Sequence, residues 1–460
     1  MGSERNQILK VMLVVSDLCI MNAKIATDQG LIEGGLNISN GVITKISSNS
    51  KLEKAVYTIN AHKMILIPGM IDAHVHLRDL KQSNKETFRT GTAAAAAGGV
   101  TSLIDMPNNI PPTNTLNALK NKFTTCMKDM LVNVGFYSGL PENIEEIGEI
   151  VKAGVFGFKI YLNNPPAEIK ILDKQVLKNI ARKIAASKSR LLFHAEIINE
   201  EATSPPASTS LADTKIADFL KTHDSAAEIK AVKYILDAVR GLELKVHLCH
   251  ITLSDSIEII KNSSHRNFYS IEVTPHHLLL DSDRIYKMGS IAKTLPPLRS
   301  RSQVNALWKT AIDYENADII ASDHAPHEIM EKNVDFKDAP AGIPGLETTI
   351  PLLFTEVLEG RLALNKLLKL ICYNPAEIMN INRRGRIREG YFADIVLLDC
   401  EKESRIKPDF FLTKAKYSPF EGFKIKCRVD KTIVNGKIVY EADTGVIDNE
   451  SAVILKPATI

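Results

Sequence analysis

Two hydrophobic rhythms alternate along the chain. From Met12 to Ile67, short β-branched runs (LNIS, VITKIS, AVYTI, MILIP) are separated by polar turns such as SNG, which predicts strands joined by tight connections. From Pro68 onward, apolar runs of about five residues alternate with longer segments of helical periodicity, as in strand–helix–strand units. The runs GMIDAHVH, TSLIDM, VNVGFYSG, VFGFKIYL, RLLFHAE, KVHLCHI, NFYSIEV and ADIIASD predict strands, and LDKQVLKNIARKIAAS and SAAEIKAVKYILDAV predict helices. Eight such runs suit a parallel barrel, which needs eight strand–helix units and about 250 residues or more. After ICYNPAEIMNI the β rhythm returns in GYFADIVLLDC and KTIVNGKIVYEAD, with Asn435-Gly436 as a hairpin turn. The prediction is an α/β chain: a (β/α)8 TIM-type barrel over 68–383, inserted into a small β-sandwich domain built from 1–67 and 384–460.

Composition narrows the field of functions. The 460 residues are 45% hydrophobic and 24% charged, as in a soluble globular protein, and the net charge is only +3. With no basic block, neither nucleic acid nor an acidic membrane is a favoured partner. The six cysteines are scattered and make no disulfide framework. In the N-terminal run ILKVMLVVSDLCIM, the uninterrupted apolar part, Val11 to Val15, is too short for a signal peptide core, and the run reads as a strand. AAAAAGGV is far short of a membrane span. A cytoplasmic protein is expected. PPASTSLADTKIADFLKT, from Pro205 to Thr222, reads as a long loop entering a helix.

The chemistry sits where the predicted strands end. An isolated H-x-H is usually unremarkable, but on a strand residues i and i+2 point to the same side, so His74 and His76 project together. Inside a barrel, two unpaired imidazoles are costly unless a metal or a hydrogen bond satisfies them. Lys159 lies within FKIYL, His194 ends LLFHAE's apolar run, His250 ends VHLCH, and IIASDHAPH brings Asp323, His324 and His327. Each arrives near the C-terminal end of an apolar strand, where barrel active sites lie. His247 and His250 have opposite parity, so on an unbroken strand only one faces inward; His250 is nearer the mouth, and Cys249 then points the other way, as a core residue rather than a ligand. Lys159, a buried cation beside a metal, would have to be neutral or modified.

Together these residues resemble the amidohydrolase superfamily and, within it, the dihydroorotases. The resemblance covers almost the whole chain: PGMIDAHVHLRD, MPN, GFKIYLN, FHAE, HLCHI, SDHAPH, GIPGLET, GRIREGYFADIVLLD and SPFEGFKIKCRVDKTIVNGKIVYE. It implies a zinc-dependent enzyme of pyrimidine biosynthesis that interconverts N-carbamoyl-L-aspartate and L-dihydroorotate. It further implies two zinc ions per subunit. His74, His76 and Asp323 would hold one, His194 and His250 the other, and carbamylated Lys159 would bridge them together with a hydroxide. Asp323 would be the acid/base, and Arg78, Asn108 and His327 would meet the substrate carboxylate. A homodimer is the expected assembly, and aspartate transcarbamoylase is carried as a candidate partner. Two departures stand out: Leu295 in KTLPPLRS, where the family has an asparagine contact, and the proline-rich NNPPAEIK after Lys159. Glu272, in EVTPHH, is left open as a residue behind the ligands.

Overall fold

The computed structural model describes residues 15–164, 169–198 and 211–458. The expectations for residues 8–14, 165–168 and 205–210 therefore lie outside the described residues. Within them, each of the eight runs predicted as a barrel strand contains a strand: Met70–Val75, Val100–Asp105, Asn133–Phe136 continued by Ser138–Gly139, Phe158–Tyr161, Arg190–His194, Lys245–Leu248, Tyr269–Val273 and Ile319–Ile320. Neighbouring strands pair in parallel. The ring is completed by a parallel bridge between Val75 and His324, where the His76 amide donates to the His324 carbonyl at 2.7 Å.

The helices pack as their patterns require. In Lys174–Ala186 the buried residues Leu177, Ile180, Ala181 and Ile184 form one stripe, and the Asp173 carboxylate caps the amides of Gln175 and Val176. In Ser225–Ala238 the stripe runs Ala227, Ala231, Val232, Ile235 and Ala238. It also buries Glu228, which accepts from the Thr252 and Leu253 amides and so ties the helix to the segment after the sixth barrel strand. A separate apolar cluster, including Ile71, Ala73, Ile104, Met106, Leu192, Cys249, Ile319 and Ala321, draws on several of the barrel strands and their ends. Apolar packing below leaves the polar groups together at the mouth.

Both ends of the chain meet in one nine-stranded sheet. Ile65–Pro68 pairs antiparallel with Ile395–Asp399, which pairs in turn with Arg428–Val434. This sheet has its own core of Leu18, Ile20, Ile25, Leu36, Ile38, Ile43, Leu66, Ile395, Leu397 and Ile433. The predicted hairpin forms at Asn435 and Gly436, with φ of 48° and 79°, as a type I′ turn demands.

Candidate active site

His74 ends up deep in the mouth, aimed by an irregularity in strand register between Asp72 and Val75. Its Nε2 and that of His76 each lie 3.3 Å from Oδ1 of Asp323. His194 Nδ1 stands 3.0 Å from His250 Nε2, and the His74 and His250 rings are 5.4 Å apart. Lys159 is buried among these groups, with an Nζ that has no hydrogen-bond partner and lies 5.2 Å from the Tyr161 ring centre. The sequence-predicted ligands therefore converge. Donor atoms of His74, His76 and Asp323 all fall within 4.8 Å of one another, a separation that suits ligands of one ion.

Three of the four imidazoles are oriented by a polar group on the far side. His74 Nδ1 is 2.8 Å from Glu272 Oε1, and His76 Nδ1 is 2.6 Å from Asn108 Oδ1. His194 Nε2 meets Asn163 at 2.8 Å and Glu196 at 3.3 Å. Such partners set the tautomer and leave the opposite nitrogen for a metal. His250 Nδ1, like Lys159 Nζ, is buried with no partner. Two orphaned nitrogens amid four imidazoles and a carboxylate fit a site built for metal: burial without a partner is otherwise costly.

Electrostatics agree with the geometry. Burial favours the neutral Asp323, but His74 and the hydrogen bond from His76 hold its carboxyl well below the usual range. Burial likewise opposes a charge on His74, yet Glu272 and Asp323 pull it up to about 10. Burial above all, with a contribution from Arg78, pushes His76 down to about 4. A metal held here would compete with a proton for His74.

One expectation is corrected. Strict alternation requires an unbroken strand at HLCH, but the strand ends at Leu248 and His250 adopts a left-handed φ of 36°. That break lets His250 reach the cluster. Cys249 is a core residue, in the cluster that includes Ile71 and Leu192, but it does not point away from the site: its sulfur lies within 4.8 Å of ligand atoms of His74 and Glu272. His247 also meets Glu272, at 2.9 Å. Glu272, left open by the sequence, proves central: fully buried, it serves His74, His247 and the backbone amide of His250.

The pocket above the cluster has a volume of about 220 Å³, and its walls include Arg78, Asn108, Tyr161, Thr294 and Leu295. Arg78 is buried, and its side chain meets the Pro326 carbonyl and His327 Nε2, at 3.3 and 3.2 Å. Among the described residues it has no ion pair. His327 stands beside it rather than on the wall. Lys85 Nζ stands 3.2 Å from His327 Nδ1, and the Ala341 carbonyl lies 3.0 Å from its Nε2. Burial and the neighbouring cations Arg78 and Lys85 hold this histidine neutral, with its pKa pushed down to about 2. Sequence reasoning missed Asn163, Glu196 and Tyr161. Glu196 follows His194 by two residues, but the strand ends at His194, so strand parity gave no sign of it.

Known proteins resemble this chain along most of its length. Residues 65–439 match the Amidohydrolase family. The chain is 35% identical over 430 residues to a dihydroorotase of Methanosphaera stadtmanae, covering 92% of this chain and 96% of that one. It is 34% identical to a dihydroorotase of Pyrococcus abyssi, covering 90% and 92%. Among solved structures, the L-hydantoinase of Arthrobacter aurescens superposes with a TM-score of 0.87 at 26% identity, covering 96% of this chain and all of that one.

Proposed function

Because the chain belongs to the amidohydrolase family and is a hydrolase of cyclic amides, we propose that it interconverts N-carbamoyl-L-aspartate and L-dihydroorotate, the ring-forming step of pyrimidine synthesis. The observation that carries this reading is Arg78: a buried guanidinium on the pocket wall with no carboxylate partner among the described residues. Such a fork binds a carboxylate bidentately, and dihydroorotate carries one on its ring whereas hydantoin does not.

His74, His76 and Asp323 are assigned to one zinc ion, His194 and His250 to a second, and Lys159, carbamylated on Nζ, to both. Reaction of the orphaned Lys159 amine with carbon dioxide, a nitrogen–carbon bond forming as a proton is released, would leave an anion there. When bound, divalent ions supply Lewis acidity that polarises an amide carbonyl and acidifies water toward neutral pH. The chain's own residues do the rest. Asp323 faces His74 and His76 through Oδ1, leaving Oδ2 to accept a proton from the attacking water and pass it to the departing amide nitrogen. In ring closure the same carboxyl starts protonated. Arg78 takes the substrate carboxylate, and Asn108, whose Oδ1 is engaged by His76, offers its amide hydrogens. His327 contributes by standing against Arg78. Their role is orientation.

The same reading takes 68–383 as the catalytic unit and the two chain ends as its β domain. It also includes a homodimer, association with aspartate transcarbamoylase and a cytoplasmic location; no helix among the described residues is long and apolar enough to cross a membrane. The test is a substrate panel. Purified, zinc-loaded protein is expected to turn over carbamoyl aspartate and dihydroorotate and to leave hydantoin and dihydrouracil essentially untouched. Preference for the rings without a carboxylate would overturn the assignment.

A further inference from the structure

The backbone that carries Arg78 is unusual. Arg78, Asp79 and Leu80 have φ of 57°, 50° and 54°, three consecutive non-glycine residues in the left-handed region, which persist only where surrounding structure holds them. The hold comes from beneath. Asp105 Oδ1 accepts from the Leu77 amide at 2.7 Å, and the Asn109 side chain donates to the Arg78 carbonyl. Both lead to Lys122, whose Nζ lies 2.6 Å from Asp105 Oδ2, 2.6 Å from Asn109 Oδ1 and 2.8 Å from the Met106 carbonyl. Lys122 and Asp105 are each 0% exposed. The lysine sits on the buried stripe of its helix, Leu119, Lys122 and Cys126, where an apolar residue would ordinarily pack.

This arrangement has an electrostatic consequence for the pocket. Asp105 attracts both Lys122 and Arg78. A buried carboxylate without a counter-ion would draw the nearest cation to itself, because charges interact strongly where water is excluded. Were Lys122 absent, that cation would be Arg78. With Lys122 in contact, Asp105 is neutralised and the Arg78 charge is left for the pocket.

We propose that Lys122 is a positioning residue for substrate recognition: by neutralising Asp105 and anchoring Asn109 beneath Arg78, it keeps the guanidinium free for the ring carboxylate. The inference rests on the substrate reading above and deepens it.

The test is steady-state kinetics on the zinc-loaded enzyme with dihydroorotate. Lys122→Met is expected to raise KM about tenfold or more while kcat stays within about threefold, the signature of lost binding common to ground and transition states. Adding Asp105→Asn removes the competing anion, and the double variant Lys122→Met/Asp105→Asn is expected to return KM to within about threefold of wild type. A purely structural peg would give no such rescue, so a double variant as impaired in KM as the single one overturns the proposal, as does an unmoved KM in the single variant. Should Lys122→Met fail to fold, the double variant decides alone by the same criterion. Wild-type enzyme inactive on dihydroorotate refutes the substrate reading; active wild type with an unmoved variant KM refutes this inference only.

Discussion

Across the pocket, the imidazole cluster and the Arg78 corner both bury charge, but they stabilise it differently. His74, His76 and His194 stand on or just beyond strands of a closed barrel, and each is oriented by a neighbouring side chain, Glu272, Asn108 or Glu196. Arg78 stands on a left-handed turn, and its support is an ion pair one layer down. The cluster takes its accuracy from regular strands. The corner takes its from over-determined loop backbone, where strain is tolerated because several hydrogen bonds enforce it. Chemistry and recognition are therefore separable in this pocket: disturbing one side should spare the other.

Removing metal is the largest disturbance. Dialysis against a strong chelator is expected to abolish turnover, and zinc is expected to restore it, with elemental analysis reporting two ions per chain; full activity in metal-free protein would dismantle the imidazole side altogether. Next comes Asp323→Asn. Turnover is expected to fall by about a thousandfold or more, while the far-ultraviolet circular dichroism stays native. Retention of more than a tenth of the rate would remove Asp323 from proton transfer. On the recognition side, Arg78→Ala should raise KM for dihydroorotate by about thirtyfold or more, as loss of a buried charge-assisted contact does, with a much smaller change in kcat. A fall confined to kcat would mean that the two sides are not separable.

Glu272→Gln sharpens the first half. It keeps the shape but weakens the anchoring of His74, so zinc affinity measured by competition with a chelating dye should drop about 10–100-fold. Smallest is a pH effect from Glu347, a half-buried residue whose carboxyl accepts from the Leu412 and Thr413 amides and, among the described residues, has no paired lysine such as Asp105 enjoys. Burial pushes its pKa up to about 8. The folded state thus holds this proton more tightly than the unfolded chain. The corresponding stability is fully present below about pH 4 and is lost as pH rises through 8, at a slope of at most about 1.4 kcal/mol for each pH unit climbed. Glu347→Gln should flatten that slope in denaturant unfolding between pH 5 and 8; parallel slopes would show that the carboxyl titrates normally.

Much of the site was legible along the chain. The alternation of strand and helix periods located the barrel strands, and the polar groups at their ends, His74, His76, Lys159, His194, His250 and Asp323, announced the cluster. Parity reasoning put Cys249 in the core, where it lies, but aimed it away from the site and set His247 against His250, because nothing in HLCH reveals that the strand stops at Leu248 and that His250 turns left-handed. Asn108 was read as a substrate contact, and its hold on His76 emerges only when residues 32 positions apart meet. Lys122 was invisible for a different reason: a lysine on a helix reads as solvent-facing, and its burial depends on Asp105 and Asn109 lying beneath the same face.

By itself, the sequence determined what is local and periodic: which segments become strands and helices, where most strands end, and which reactive groups arrive there. Side-chain direction along a strand or helix follows from backbone geometry that neighbouring residues set. Only the tertiary structure decided which distant groups share a buried charge: Glu272 between His74 and His247, Asp105 between Lys122 and Arg78, and the two chain ends in one sheet. Those pairings depend on closure of the barrel and exclusion of water, which no stretch of chain achieves alone.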